Sequence, residues 1–488
     1  MVPGSERLTA SRSASGDPAG TYALPERGRV TVVVLCAAIL ALEVGYWLWF
    51  LWRALHSAVG QYDFSSYYAA ASALRVDPHV NIYSPAVLAR SGALGHVQVQ
   101  PPLPYTYPPF FAIALIPLTV LPFHIAARVW LVANAAVWIL CTLLLAVEVR
   151  HILGGAFGTA AQPTATLWRR AVADPSGAVA LALCAMLCLP FAPAQQTLLT
   201  GQIDLLVLLP LAAVPWLTRH AHERWVGVAF ALTAMLKLTP GVLLIYLALR
   251  KRWTALSVAL MALVGLSLAS IAVVGPGVFW ASITQALQTG SSDASLGHNE
   301  ALFASVLNQV RTSLPTLAVT VRAAAYVVEA SLAVGIGVAV WRARPGFSDP
   351  LKSSAASGDA VPYAMSLCAL LLVAPTAWVH HYVWVLPVAA LLLGLTLAAL
   401  LRASDTAERR RAMLQFGVTV LAAVAIGWLL PHEWDTQPHP VTETLYGLPL
   451  RPALLELRAI GTAALLAVAL SLGARTSLVK RPQGETGA

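Results

Sequence analysis

From Val30 to Trp52 the chain runs through 23 residues with one charged side chain, Glu43. A helix of that length spans about 34 Å at about 1.5 Å per residue, enough to cross a hydrocarbon core of about 30 Å. The run is too long for the core of a signal peptide, and no small-residue cleavage site follows it, so it reads as an uncleaved first helix. Apolar runs of similar character recur to residue 472. In a bilayer a spanning chain must satisfy its backbone polar groups internally, which leaves helices as the spanning element for runs of this kind. The composition agrees: 58% of the 488 residues are hydrophobic and only 11% charged, against about 25% charged in ordinary soluble domains. The chain therefore reads as an all-α polytopic membrane protein.

The formal charge of +9 raises nucleic acid as a partner, but the positions of the basic residues argue otherwise. Of the 31 Lys and Arg, 22 fall in seven hydrophilic breaks: 1–29, 150–175, 219–225, 250–253, 341–358, 402–413 and 473–488. Cytoplasmic loops carry such an excess, so these breaks are expected inside, with N- and C-termini both cytoplasmic in a plasma membrane. The remaining breaks, including the acidic 431–453, are expected outside. Helices are expected at 30–52, 125–148, 176–194, 204–218, a broken hairpin 226–249, 254–274, 314–341, 360–374, 382–401, 412–430 and 454–472, a bundle of about 11–13 crossings. Residues 1–28, rich in Ser, Gly and Pro, read as a disordered tail; 29–473 form one membrane domain and 474–488 a second tail. Cys36, Cys141, Cys184, Cys188 and Cys368 all lie in apolar runs and read as buried small hydrophobes. Cys184 and Cys188 share a helix face, but no His or second Cys pair completes a metal site.

Two segments resist simple alternation. Residues 107–121, "YPPFFAIALIPLTVL", are apolar but short and interrupted by proline, and are expected to lie in the membrane plane at the outer face. The stretch "VGVAFALTAMLKLTPGVLLIYLALRKRW" carries Lys237 and Pro240 at its centre. Each arm is too short to cross, so Lys237 is expected at a hairpin tip reaching outward, a break tolerated where it lines a cavity.

With this topology the unusual polar residues gather on one side. The first external loop, 53–124, carries Asp63, Tyr67, Tyr68 and Tyr107; the second carries Gln195, Gln196, Gln202 and Asp204. Lys237 points the same way, a third loop carries Asn299, and "APTAWVHHYVW" brings Trp378, His380 and His381. Ionisable groups at membrane depth are costly, so several on one side imply a shared cavity. Each also has a plainer reading. Asp63 is placed to cap a helix over 64–75, Lys237 to snorkel to the interface, and Gln202 and Asp204 to start a helix. His380 and His381 point about 100° apart on a helix, so one of them faces the cavity. Most of the 15 tryptophans fit an interfacial aromatic belt. Arg128 and Arg322 fall inside apolar helices without an assigned role.

The motifs "YDFSSYYAA", "NIYSP", "YTYPPFFAIALIPL", "TGQIDLLVLLPLA", "ALTAMLKLTPGVLL" and "APTAWVHHYVWVLP" occur in that order and spacing, and over residues 29–402 the chain resembles glycosyltransferase family 87. These are GT-C type, polyprenyl-phosphate-sugar-dependent transferases related to bacterial mannosyltransferases. One departure is "GHNEALFASVLNQV", where Ala301 stands at a position usually held by Ser. The resemblance implies a GT-C type bundle with in-plane helices in its first external loop. It also implies an extracytoplasmic site that moves a hexose, mannose in the first instance, from a polyprenyl-phosphate-linked sugar donor to a glycolipid or glycan acceptor, with inversion. Asp63 would be the base, assisted by His380 or His381. Tyr67, Tyr68, Tyr107, Gln202, Asp204, Asn299 and Trp378 would contact substrate, and Lys237 the lipid phosphate. No cofactor, metal or nucleic acid is implied; the partners are donor, acceptor and membrane lipids. Two other readings are an arabinofuranosyltransferase with a related donor and a lipid or solute transporter. Against the transporter, no internal repeat is visible and the polar residues cluster on one side.

Overall fold

The computed structural model describes residues 25–56, 62–97, 102–157, 169, 172–292, 301–303, 307, 310–311, 313–343, 357–374, 376–427 and 450–478. Among them every regular element is helical. In chain order the α-helices are α1 (Glu26–His56), α2 (Tyr62–Val76), α3 (Pro85–Leu94), α4 (Pro109–Leu115), α5 (Phe123–Phe157), α6 (Ser176–Cys188), α7 (Ala192–Thr200) and α8 (Asp204–Arg219). There follow α9 (Glu223–Leu236), α10 (Leu244–Leu249), α11 (Trp253–Ser292), α12 (Ala318–Arg342), α13 (Ser357–Val373), α14 (Leu386–Arg402), α15 (Thr406–Gly427) and α16 (Leu450–Leu478). Among the described residues seven helices are long and apolar enough to cross a membrane, or eight if α6 and α7, bent 58° from each other, form one broken span. The expected 11–13 crossings also count α8, α9 and α13, which at 16, 14 and 17 residues are shorter. The chain is an all-α, multi-pass membrane protein.

Local sequence sets several of the ends. Pro85 and Pro109 open α3 and α4 at the first turn, where a missing N–H costs nothing. Gly201, at φ 77°, closes α7 in the left-handed conformation that glycine adopts without strain. Within α11, Gly275 breaks the helix at φ 80° just before Pro276. A residue preceding proline is disfavoured in the helical region, which is why the expected helix 254–274 stops there. The chain resumes as helix up to Ser292, where the sequence predicts a loop. Gln195 and Gln196, expected in a loop, lie on α7.

Packing joins α9 to α11, α5 to α6, α8 and α14, and α13 and α15 to α16. Gly227 allows the closest of these approaches, because a Cβ there would run into the Ala255 carbonyl of α11. Small residues that let backbones approach are a recurring device of membrane helix pairs. One end of the bundle is tied by ion pairs: Arg219 to Glu148 at 2.8 Å, Arg252 to Glu223 at 2.5 Å, and Arg250 to Asp359 at 2.6 Å. Asp204, which opens α8, lies a full helix length away from Arg219, which closes it. The α2–α4 segment connects α1 to α5 at the Asp204 end, and there the second polar cluster forms.

Candidate active site

The site is built from four breaks in the helical pattern. α2 supplies Asp63 in its first turn and Tyr67 one turn later. The turn between α7 and α8 supplies Gln202 and Asp204. The break after α9 supplies Lys237, whose backbone is extended (φ −151°, ψ 127°), and the 3-10 segment Val379–Val385 supplies His380 and His381.

Gln202 is the hub. Its side-chain oxygen lies 2.9 Å from the Tyr67 hydroxyl and 2.8 Å from the Tyr107 hydroxyl, and these two hydroxyls are 2.9 Å apart. With the oxygen accepting from tyrosines, its amide nitrogen is left to donate to Asp63, whose carboxylate is also hydrogen-bonded by Thr200. The Trp130 indole N–H donates to the Gly201 carbonyl at 2.8 Å and holds this turn against α5. The half-buried Asp63 is therefore fixed from two directions. Desolvation pushes its carboxyl from the ordinary 3.8 up to about 7, against the opposing effects of the Gln202 hydrogen bond and the Lys237 charge. A carboxylate in that range is suited to take a proton near neutrality.

Asp204 is wholly buried and accepts from the Lys237 ammonium with both oxygens, at 3.0 and 3.1 Å. His380 Nε2 lies 3.9 Å from the same carboxylate. The Lys237 nitrogen also sits 5.4 Å from the Trp384 ring centroid and 5.8 Å from that of Tyr107, within cation–π range. Lys237 is thus neither snorkelling nor a free point charge: two of its three donors are engaged by Asp204. His381 turns away, stacked on Trp384 (centroids 4.9 Å, planes 11° apart), with its Nδ1 accepting from the Trp378 backbone N–H at 3.3 Å. Of the two histidines, His380 is the one beside the charged cluster.

The structure brings together Asp63, Tyr67, Tyr107, Gln202, Asp204, Lys237 and His380, with His381 and Trp378 behind them. It does not bring Tyr68 there. Tyr68 is rotated about 100° from Tyr67 on α2 and donates to the Leu121 carbonyl at 2.7 Å on the other side of that helix. Asn299 lies outside the described residues, as do the tail over 1–24 and the acidic loop 431–449. Thr200 and Trp384 were not singled out in the sequence. Trp384 was detectable as the aromatic one turn beyond His380 and His381; Thr200 carried no signal beyond lying two residues before Gln202.

The geometry sets a carboxylate, Asp63, beside the Lys237–Asp204 ion pair in a helical membrane bundle, and comparison with known proteins identifies the class. The sequence profile described as Glycosyltransferase family 87 matches residues 105–361, more than half of the chain. The chain belongs to glycosyltransferase family 87, and it is a glycosyltransferase. Among curated relatives it is 28% identical over 376 residues (75% of each chain) to the polyprenol-phosphate-mannose-dependent alpha-(1-2)-phosphatidylinositol pentamannoside mannosyltransferase of Mycobacterium tuberculosis. It is 27% identical over 374 residues (74% of this chain, 78% of the relative) to the protein of that name in Mycolicibacterium smegmatis. A third relative, the Mycolicibacterium smegmatis polyprenol-phosphate-mannose-dependent alpha-(1-2)-phosphatidylinositol mannoside mannosyltransferase, is 26% identical over 357 residues (72% of this chain, 73% of the relative). No solved structure matches.

Proposed function

We propose that this enzyme transfers mannose from a polyprenyl-phosphate-linked donor to a glycolipid acceptor on the extracytoplasmic side of the membrane, with inversion, using Asp63 as general base. The observation that carries this reading is the placement of the Asp63 carboxylate, held by Gln202 and Thr200, beside the Lys237–Asp204–His380 cluster. In the proposed step an acceptor hydroxyl oxygen attacks the anomeric carbon on the face opposite the phosphate. The carbon–oxygen bond to the phosphate breaks, its electron pair leaves with polyprenyl phosphate, and the hydroxyl proton passes to Asp63. The departing phosphate gains negative charge and meets the third donor of Lys237 together with His380. The reading gives Tyr67 and Tyr107, which hold Gln202 in the same hub, the role of ordering sugar hydroxyls. The relatives' names support the mannose donor and the glycolipid acceptor. Incubating membranes that contain the protein with radiolabelled polyprenyl-phosphate-mannose, then extracting lipids, is expected to yield a labelled glycolipid. Label from the arabinofuranosyl donor alone would replace the sugar assignment.

The reading also sets a pH profile. Below about 7 Asp63 is protonated and cannot act as base, so kcat/KM is expected to rise about tenfold per pH unit up to about 7 and then level off. The sign for stability is opposite. The native carboxyl holds its proton more tightly than the unfolded chain does, so this group's contribution falls as pH rises from about 4 to about 7. A flat profile from pH 5 to 8 would remove Asp63 as the base.

The sidedness is testable by labelling, since all five native cysteines are free and buried. A cysteine at the exposed Ala86 on α3 is expected to react with an impermeant thiol reagent in intact cells, and one at the exposed Arg410 on α15 is not. The reverse pattern would place the site in the cytoplasm.

A further inference from the structure

α2 has a second polar face. Whereas Asp63 and Tyr67 look into the site described above, Tyr68, Ser72 and Arg75 line an open cavity of about 1030 Å³ on the opposite side. Its other walls come from the last turn of α1, the end of α3, the turn 119–122 and the first turns of α5. Arg75, Arg128, His56, His96 and His124 all line it, and among the described residues no Asp or Glu does. Elsewhere Arg150, Arg219, Arg250 and Arg252 each pair with a carboxylate. Arg75 and Arg128 make no such pair among the described residues, although Arg128 stands in the apolar first half of α5. His96 is held at φ 51°, a conformation that costs a non-glycine residue energy and that turns the chain back at the end of α3. Hydroxyls of Ser72, Ser91 and Thr119 add polar groups to the walls.

The rim has the opposite character. Val76, Leu94 and Val120 are exposed there, and Trp52 and Val132 are exposed on the adjoining helices. Because α1 and α5 both qualify as membrane spans, a cavity between the end of one and the start of the other sits at the depth of lipid headgroups. A basic interior with no carboxylate among the described residues, and an apolar rim at that depth, fits an amphipathic anion. Arginine is the side chain best suited to phosphate oxygens. We propose that this cavity binds the phosphate of an anionic lipid, as a site separate from the Asp63 centre.

The test uses the full-length protein in a neutral detergent, with saturable binding of radiolabelled phosphatidylinositol, of polyprenyl phosphate and of inorganic phosphate measured in parallel. Arg75→Gln with Arg128→Gln is expected to weaken lipid binding at least tenfold, while Arg75→Lys with Arg128→Lys stays closer to the parent. Asp63→Asn is expected to leave binding unchanged, which separates this site from the proposed mechanism. Loss of phosphatidylinositol binding in the Gln variant identifies a phospholipid or glycophospholipid as the occupant; loss confined to polyprenyl phosphate identifies the donor carrier. Equal lipid binding by the Gln variant and the parent overturns the proposal, as does binding of inorganic phosphate alone. If the double variant fails to fold, Arg128→Gln alone, at an exposed position on α5, decides on the same criteria.

Discussion

Asp63→Asn is expected to fold as the parent does, to bind donor, and to transfer almost nothing. Asparagine preserves the shape of the side chain and can still accept from Gln202 or Thr200. α2 begins at Tyr62, so Asp63 lies in the first turn, where a negative charge on the helix dipole is worth about 0.3–1 kcal/mol. The substitution forfeits that and also removes a desolvated carboxylate, so the two effects oppose each other and the melting temperature in detergent should barely move. Catalysis has no such compensation, because an amide takes up no proton at working pH. Removal of general-base help costs about 10²–10⁴-fold in rate. Unimpaired turnover in this variant would leave Asp63 as a helix-terminus residue and pass the role of base to His380.

Lys237→Ala is expected to be the most damaging single change to the fold of the site. Asp204 is fully buried and Lys237 is its ion-pair partner, with His380 at the edge of range. Stranding one member of a buried pair costs about 3–5 kcal/mol, against a net stability of about 5–15 kcal/mol for typical domains. Loss of activity in Lys237→Ala alone would therefore be ambiguous. The double variant Lys237→Met with Asp204→Asn removes both charges, and thermal stability is expected to return to near the parent. Its apparent donor affinity is expected to remain about 10–150-fold weaker, since a hydrogen bond to a charged group contributes about 1.5–3 kcal/mol. If the double variant recovers donor use along with stability, the sole function of Lys237 is to neutralise Asp204.

These two cases differ in how far the chain announces them. The helices were visible because a segment such as Val30–Trp52 or 254–274 carries its reason for being helical within itself: it is apolar, and its backbone must hydrogen-bond locally in lipid. The same is true of the breaks. Pro240 after Lys237, and Pro276 after Gly275, interrupt helices by local chemistry, and Lys237 stands at its break in the structure as the sequence implied. Asp63 was conspicuous as an acid directly after a membrane span. The sequence by itself therefore determined the all-helical class, the breaks at Lys237 and Gly275, and the polar residues worth inspecting, but not the 58° bend that divides the expected helix 176–194 into α6 and α7.

The tertiary structure alone decided which of those residues meet. Tyr67 finds Gln202 across 135 positions and Lys237 finds Asp204 across 33, whereas the adjacent Tyr67 and Tyr68 part to opposite sides of α2. His380 and His381 divide in the same way, one toward Asp204 and one onto Trp384. Arg128 has no explanation within its own helix, and only the tertiary structure sets it beside Arg75 on the wall of one cavity between α1, α2 and α3. Helix formation depends on neighbours within a turn, so the sequence carries it. Pairing of buried polar groups depends on how separate helices rotate against each other, and that rotation is set by the packing of the whole bundle.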